Sequence, residues 1–506
     1  MPLRWWDCLM CLMPSLLLWA LVALVVVSRP VLGAWTGRAL TAVGWTLWRG
    51  LCVLLHLPLQ KTPPQTSSSG TELLFKPSSL AQHLLRHCGA LSRTRLAPWP
   101  RGDPHLQTVQ SLCGLSTPAL QKRITYECGL QFSRDHLLLR DGAIVALDWV
   151  VGECEGGRRS SPPVLLLVPE HWGSLTPHLC SLCHSASALG FYVVLFHHRG
   201  TAGCPLTTTR LTEFGDPADL DQAVAYIHSR HPSSVLLAVS EGSGSGTLLS
   251  YLGEKGSGSR ITAAAAISPV LLGQLWFETA MPPLYHWGVL FHRKQQLRRY
   301  ASSFSRVLDV AHVLRSSSLK EFEERLFCQH QSEAPWGLTA SASWGLQERA
   351  RPAPDWDAYW ERNEPLRDAD EVEVPVLCLL SRDDPLLPPA GALPLNLFQS
   401  NPFFIMVLTD TGGHCGFSTA NTRDGRTENW SHTAVLEYFR AAVDFLKGGG
   451  EGRSVGFTIS PMGEQRQRTN TFRRRRAAGM RRSLNQTVCQ TVTEDDEFTW
   501  KRAYTR

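Results

Sequence analysis

Residues 234–253 read SVLLAV at 234–239, SEGSGSG at 240–246 and TLLSYLG at 247–253. An apolar, β-rich run breaks at a glycine-serine turn and re-enters as a helical pattern. A strand, a sharp turn and a helix together form the setting in which a nucleophilic serine is presented, as G-x-S-x-G. Small residues are needed at positions −2 and +2, because strand and helix pack closely at the turn. Ala238-Val239-Ser240-Glu241-Gly242 meets that need as A-x-S-x-G. Ser243 has Glu241 at −2, which would clash, and Ser245 is flanked by Ser243 and Thr247. Ser240 is therefore the candidate nucleophile. The backbone amide of Glu241 would then follow it as one oxyanion donor.

Outward from this turn the same grammar repeats. VLLLV at 164–168, YVVLF at 192–196, PVLCLL at 375–380 and FFIMVL at 403–408 are continuous apolar runs, with helical patterns such as DPADLDQAVAYIHSR at 216–230 between them. Apolar strands alternating with helices predict an α/β domain with a buried, mostly parallel, twisted sheet and helices on both faces. DHLLLRDGAIVALDW at 135–149 reads as a hairpin turning at Asp141-Gly142. The domain is expected over 75–447, with a cap at about 270–360, a lid at 276–292 and a surface insertion at 329–356.

The two groups a serine nucleophile needs follow at strand ends. PVLCLL leads to Ser381-Arg382-Asp383-Asp384-Pro385, and FFIMVL leads to Thr411-Gly412-Gly413-His414-Cys415. Asp384 is preferred to Asp383 as the acid, because the turn residues follow it directly. His414 is the base. The order Ser…Asp…His is that of the strand–turn–helix hydrolases and of no other serine hydrolase class considered. The remaining oxyanion donors should come from the loop after VLLLV, Pro169-Glu170-His171-Trp172-Gly173. Gly173 can serve there, while Glu170 is a poor neighbour for a negative oxygen.

Other features bound the function. Fourteen cysteines in 506 residues are too few for a disulfide scaffold, and their spacing shows no zinc pattern, so no metal or cofactor is expected. Cys180-x-x-Cys183 reads as two buried small residues on a helix. The net charge of +6 comes from residues 448–506, leaving 38 charges of each sign in 1–447, which argues against a nucleic-acid-binding face. That stretch opens Gly-Gly-Gly-Glu-Gly, carries Arg473–Arg476, and reads as a disordered basic tail. Residues 9–27 are uncharged and about as long as a bilayer span, so residues 1–33 are expected to be a membrane anchor or a signal cleaved near Gly33. Residues 34–74 read as a membrane-proximal segment and linker, with 51–59 suited to an interface. Attachment to the endoplasmic reticulum or another secretory-pathway membrane is expected, with secretion as the alternative. Asn429-Trp-Ser431 and Asn485-Gln-Thr487 are glycosylation acceptors only if those segments are lumenal.

His105-Leu106-Gln107-Thr108, Trp149 after Leu147-Asp148, Arg199-Gly200, Tyr251-Leu252-Gly253 and Gly413-His414 together resemble the membrane-anchored α/β-hydrolase family of acylglycerol and phospholipid lipases. The resemblance covers roughly 75–445. It implies the α/β-hydrolase fold with a helical cap, a Ser-Asp-His triad with Asp384 and His414 as acid and base, and a lipid or acyl-ester ligand at a membrane. Two positions depart from the family. Counting back without gaps from Tyr251-Leu252-Gly253 places Gly242, not a serine, at the nucleophile position. Glu170 replaces the first glycine of the oxyanion loop. The leading expectation is therefore a regulator of lipid metabolism with weak or absent hydrolysis, acting on a lipid or a regulatory protein partner. The second is an active serine hydrolase using Ser240, Asp384 and His414. An acyltransferase built on His136-x₄-Asp141 is disfavoured, since that motif falls in the hairpin.

Overall fold

Val164–Val168 (β4), Tyr192–His197 (β5), Leu236–Glu241 (β6), Ala263–Ile267 (β7), Val376–Ser381 (β8) and Phe404–Thr409 (β9) are buried along almost their whole lengths. Strands apolar on both faces must be covered on both faces, and here they pair in parallel. Thr71–Phe75 (β1) closes one edge antiparallel to β9. The hairpin Gln131–Leu138 (β2) and Ile144–Val151 (β3) closes the other through β5. The nine-stranded order is β1-β9-β8-β7-β6-β4-β5-β3-β2. From β4 the chain steps to β5, then reverses through β6 to β9. Right-handed crossovers therefore place the connecting helices on opposite faces. This is the α/β-hydrolase fold.

The structure is a computed structural model and describes residues 34–58, 70–112, 130–151, 161–171, 176–279, 281–305, 308–328, 352–423 and 426–448. Residues 1–443 form one unit. Of the second, 444–506, the described part is the end of the helix Trp430–Gly448. The expected span at 9–27, the cleavage site near Gly33, most of the linker, Gly173, Asn485 and the basic tail lie outside the described residues. Among the described residues no helix is long and apolar enough to cross a membrane.

Several expectations move. The sheet begins at Thr71, inside the segment read as linker. The helix Ala34–Leu54 and the turn after it send Cys52, Leu55 and Leu57 into the same buried cluster as the cap, so 51–59 is only half an outer surface. Val43, Leu47, Val53 and Leu54 remain exposed on its other side. The cap consists of helices between β7 and β8, including Gly273–Glu278, Pro283–Arg299, Leu319–Phe327 and Trp356–Asn363. Of the expected insertion at 329–356, residues 329–351 lie outside the described residues; at its far end Ala353 bridges Cys328, and both Ala353 and Trp356 are buried. Phe214 packs against Trp276, Phe277 and Trp360 of the cap, with the Phe214–Phe277, Phe214–Trp360 and Trp276–Phe277 pairs edge to face. The hairpin turns as expected, with Gly142 at φ +81°. Cys180 and Cys183 are both fully buried on the helix Pro177–Ala188.

The strand–helix approach at the turn is tight. A Cβ on Gly244 would lie 2.2 Å from the Pro169 carbonyl oxygen and 2.8 Å from that of Val168, both rigid backbone. Gly244→Ala is expected to cost about 1–3 kcal/mol. Gly258→Ala, with open space around the new methyl, should change stability by less than about 1 kcal/mol. Urea midpoints of the two variants check the contrast.

Candidate active site

β6 does not end at Ser240. It runs to Glu241, and the chain turns at Gly242, whose φ is +49°. A short 3₁₀ turn, Gly242–Gly244, then leads into the helix Ser245–Lys255. Gly242 is the residue at the apex, where a side chain would project over the sheet toward the histidine loop. A Cβ built there would lie 2.9 Å from His414 Nε2 and 2.9 Å from Glu170 Oε1.

Ser240 is corrected accordingly. It sits inside the sheet, in register with Val168 of β4 and Ala266 of β7, fully buried, and its hydroxyl has no hydrogen-bond partner. Glu241 is also moved from its expected role. It is the last strand residue, paired with Ile267, and its carboxylate meets His178 Nδ1 at 2.5 Å. With Gly242 at the apex, the amide that follows is that of Ser243. The Ser243 hydroxyl accepts from His171 N at 3.0 Å, tying the turn to the loop after β4. Ser245 bridges Gly242 O at 2.7 Å and Val270 N at 2.9 Å.

The acid and base positions meet. His414 Nδ1 lies 2.9 Å from Asp384 Oδ2, and both side chains are buried. Asp384 is held by the amides of Leu386 at 2.9 Å and Leu387 at 3.3 Å, the turn that singled it out in the sequence. Asp383 does a different job: its Oδ1 accepts from Gly413 N at 2.9 Å and from the Ser381 hydroxyl, bracing the histidine loop. Thr108 of His105-Leu-Gln-Thr108 accepts from His414 N at 3.0 Å. On the far side of the ring, where a serine hydroxyl would stand, Glu170 Oε1 lies 3.3 Å from His414 Nε2. Burial opposes a charged ring, but the Asp384 carboxylate outweighs it and holds His414 well above its ordinary pKa. Sequence reasoning saw Glu170 only as a misfit in the oxyanion loop, and missed its contact with the base. Gly173 lies outside the described residues.

Over 449 residues the chain is 44% identical to human Protein ABHD15, covering 86% of each chain. The chain belongs to the α/β-hydrolase family of that protein. It is also 28% identical to human Phospholipase ABHD3 over 353 residues, 68% of this chain and 79% of that one. A Saccharomyces cerevisiae medium-chain fatty acid ethyl ester synthase/esterase is 25% identical over 288 residues, 55% of this chain and 62% of that one. No family model matches the chain. Within this family of hydrolase-fold, lipid-related proteins, the chain carries the acid–base pair and places a glycine and a carboxylate where nucleophile and oxyanion donor are expected.

At the first sequon the Asn429 amide nitrogen donates to the Gly416 carbonyl and to His178 Nε2.

Asp383 supplies a pH signature. Burial, against the hydrogen bonds from Ser381 and Gly413, pushes its carboxyl up to about 6. A carboxyl raised in the folded state binds its proton more tightly there than when unfolded. Its contribution is therefore full below about pH 4 and is lost as pH rises through about 6. Wild type should lose on the order of 3 kcal/mol across that window relative to Asp383→Asn. Chemical denaturation of both proteins at several pH values reads the difference. Parallel curves would remove Asp383 as the cause.

Proposed function

We propose that this protein is a regulator of lipid metabolism that has kept the α/β-hydrolase fold and gives weak or no ester hydrolysis. The observation that carries the reading is the pair Gly242 and Glu170 at His414. A glycine has no atom with which to attack, and loss of the nucleophile from a triad costs on the order of 10⁶ in rate. Glu170 places a carboxylate beside the base, where a developing oxyanion would be repelled. The ligand class proposed is a lipid or acyl ester. The names of the relatives support it: one is called a phospholipase and another a fatty acid ethyl ester synthase/esterase. A regulatory protein partner fits the same reading, since a fold that binds without turnover can act only through what it contacts.

Attachment to a secretory-pathway membrane belongs to this proposal. It is supported by the uncharged run at 9–27 and by the exposed apolar Val43, Leu47, Val53 and Leu54 on the helix that follows. The competing reading, hydrolysis by Ser240, requires a hydroxyl buried in mid-sheet to reach His414.

The test is fluorophosphonate labelling of the folded full-length protein. Wild type should take up no label, and neither Ser240→Ala nor Ser243→Ala should alter that. Gly242→Ser alone should stay nearly unlabelled, because Glu170 still crowds the new side chain. Gly242→Ser with Glu170→Gly should gain label that His414→Ala removes. Wild-type labelling abolished by Ser240→Ala would overturn the proposal.

A further inference from the structure

Three side chains converge on the face of His414 turned away from Asp384. Glu170 Oε1, His414 Nε2 and Cys415 Sγ all lie within 4.8 Å of one another, and all three residues are buried. They come from two loops 244 residues apart in sequence, one after β4 and one after β9. We propose that Glu170, His414 and Cys415 form a binding site for a single zinc-class divalent cation, in the space where a hydrolase of this fold would hold its serine. The proposal rests on the reading above, that Gly242 leaves the triad without a nucleophile.

The first argument is the orientation of the ring. Asp384 Oδ2 stands 2.9 Å from Nδ1, which leaves Nε2 as the ring nitrogen that faces Glu170 Oε1, at 3.3 Å. A cation bound there would take the place of the proton that joins Nε2 to the carboxylate. Histidines bound to zinc commonly donate their other nitrogen to a carboxylate, as His414 can to Asp384.

The second is the donor set. Carboxylate oxygen, imidazole nitrogen and thiolate sulfur suit zinc and disfavour magnesium and calcium, which take oxygen ligands. Zinc bonds of about 2.0–2.3 Å at tetrahedral angles place ligand atoms about 3.3–3.8 Å apart. The Glu170–His414 contact already has that spacing. Cys415 Sγ, within 4.8 Å of both, has to move closer to them and away from the Ile267 carbonyl oxygen, which lies 3.7 Å from it.

The third is the backbone. Cys415 has φ +58°, a left-handed conformation unusual for a residue with a side chain. It is held there by Ser268, whose hydroxyl accepts from Cys415 N at 2.9 Å and whose own φ is +47°. Strain of this kind persists where the surroundings fix a side chain for a purpose, ligand clamps included. Gly242 completes the site, because a Cβ there would fall 2.9 Å from two of the three ligand atoms. Three protein ligands then leave the fourth position to water.

A second His/Glu cluster nearby lacks this logic. His178 Nδ1, Glu241 and His432 also converge. There, however, Asn429 accepts from Ser431 N and Oγ, which fixes its amide nitrogen toward His178 Nε2. His178 Nε2 is thus an acceptor, Nδ1 carries the proton, and that proton already joins it to Glu241.

The experiment titrates the metal-stripped full-length protein with Zn²⁺ against a chromophoric chelator, and with Co²⁺ by absorption. One equivalent of Zn²⁺ is expected, together with a thiolate-to-cobalt charge-transfer band. Affinity should fall at least tenfold in Glu170→Gln and in Cys415→Ser, and stay unchanged in His178→Gln. The cobalt band reports the thiolate in wild type even if a variant fails to fold. No bound metal in folded wild type would overturn the site. So would binding indifferent to Glu170→Gln and Cys415→Ser, or binding lost only in His178→Gln. Fluorophosphonate labelling of the same preparation is scored separately. Label without metal would refute both readings, whereas neither label nor metal would refute the metal site alone.

Discussion

The close approach of the turn after β6 to the loop after β4 is the constraint on which the site depends. Gly244 lies against the Pro169 carbonyl with no room for a methyl, and the Ser243 hydroxyl binds the amide of His171. These two contacts fix the register of Gly242 beside Glu170. β4 and β6 are adjacent parallel strands, so the register is carried into the sheet through Val168 and Ser240. Once it is set, the residue at the apex faces His414 whatever its identity. Here that residue has no side chain.

Asp384 and His414 have a structural reason to be present whatever residue stands at the apex of the turn. Asp384 and His414 are both buried, and each is the other's partner. Removing one member of a buried charged pair leaves the other uncompensated, typically at a cost of 3–5 kcal/mol. Around them the loop is laced to its neighbours. Asp383 holds Gly413, Thr108 holds His414 and Ser268 holds Cys415. A geometry that also organises three loops is a packing element in its own right, so a triad's acid and base are weak evidence for turnover.

The sheet was legible because β4, β5, β6, β8 and β9 are unbroken apolar runs whose period needs no tertiary information. β7 was not, because Ala263–Ala266 is built from the residue with the highest helix propensity. Its place between β6 and β8, where both faces are covered, makes it a strand. The nucleophile position was half legible. The rule that positions −2 and +2 be small is met by Ser240 with Ala238 and Gly242, and equally by Gly242 with Ser240 and Gly244. Only the gap-free count back from Tyr251-Leu252-Gly253 favours Gly242, and that is where the backbone turns. Local composition could not separate the two registers, whereas the helix, being rigid, could. The Glu170–His414 contact was beyond local reasoning, since only the run of pairings from β4 through β6, β7 and β8 to β9 brings those loops together.

One helical turn joins the site to the rest of the molecule. On the helix Pro104–Leu112, His105 Nε2 meets the Pro58 carbonyl at 2.9 Å, and its Nδ1 meets the hydroxyl of Tyr285 on the cap at 2.9 Å. Three residues on, Thr108 holds the backbone of His414. Just ahead of that helix, Asp103 accepts from the Trp48 indole at 2.8 Å. The N-terminal helix, the cap and the histidine loop are therefore fastened to a single short rigid segment. Residues three apart on a helix lie on one face and move together. A displacement of the cap or of the helix Ala34–Leu54 can therefore reach His414 through His105 and Thr108, beside the cap's other link, from the Trp276 indole to the Leu386 carbonyl in the turn that holds Asp384.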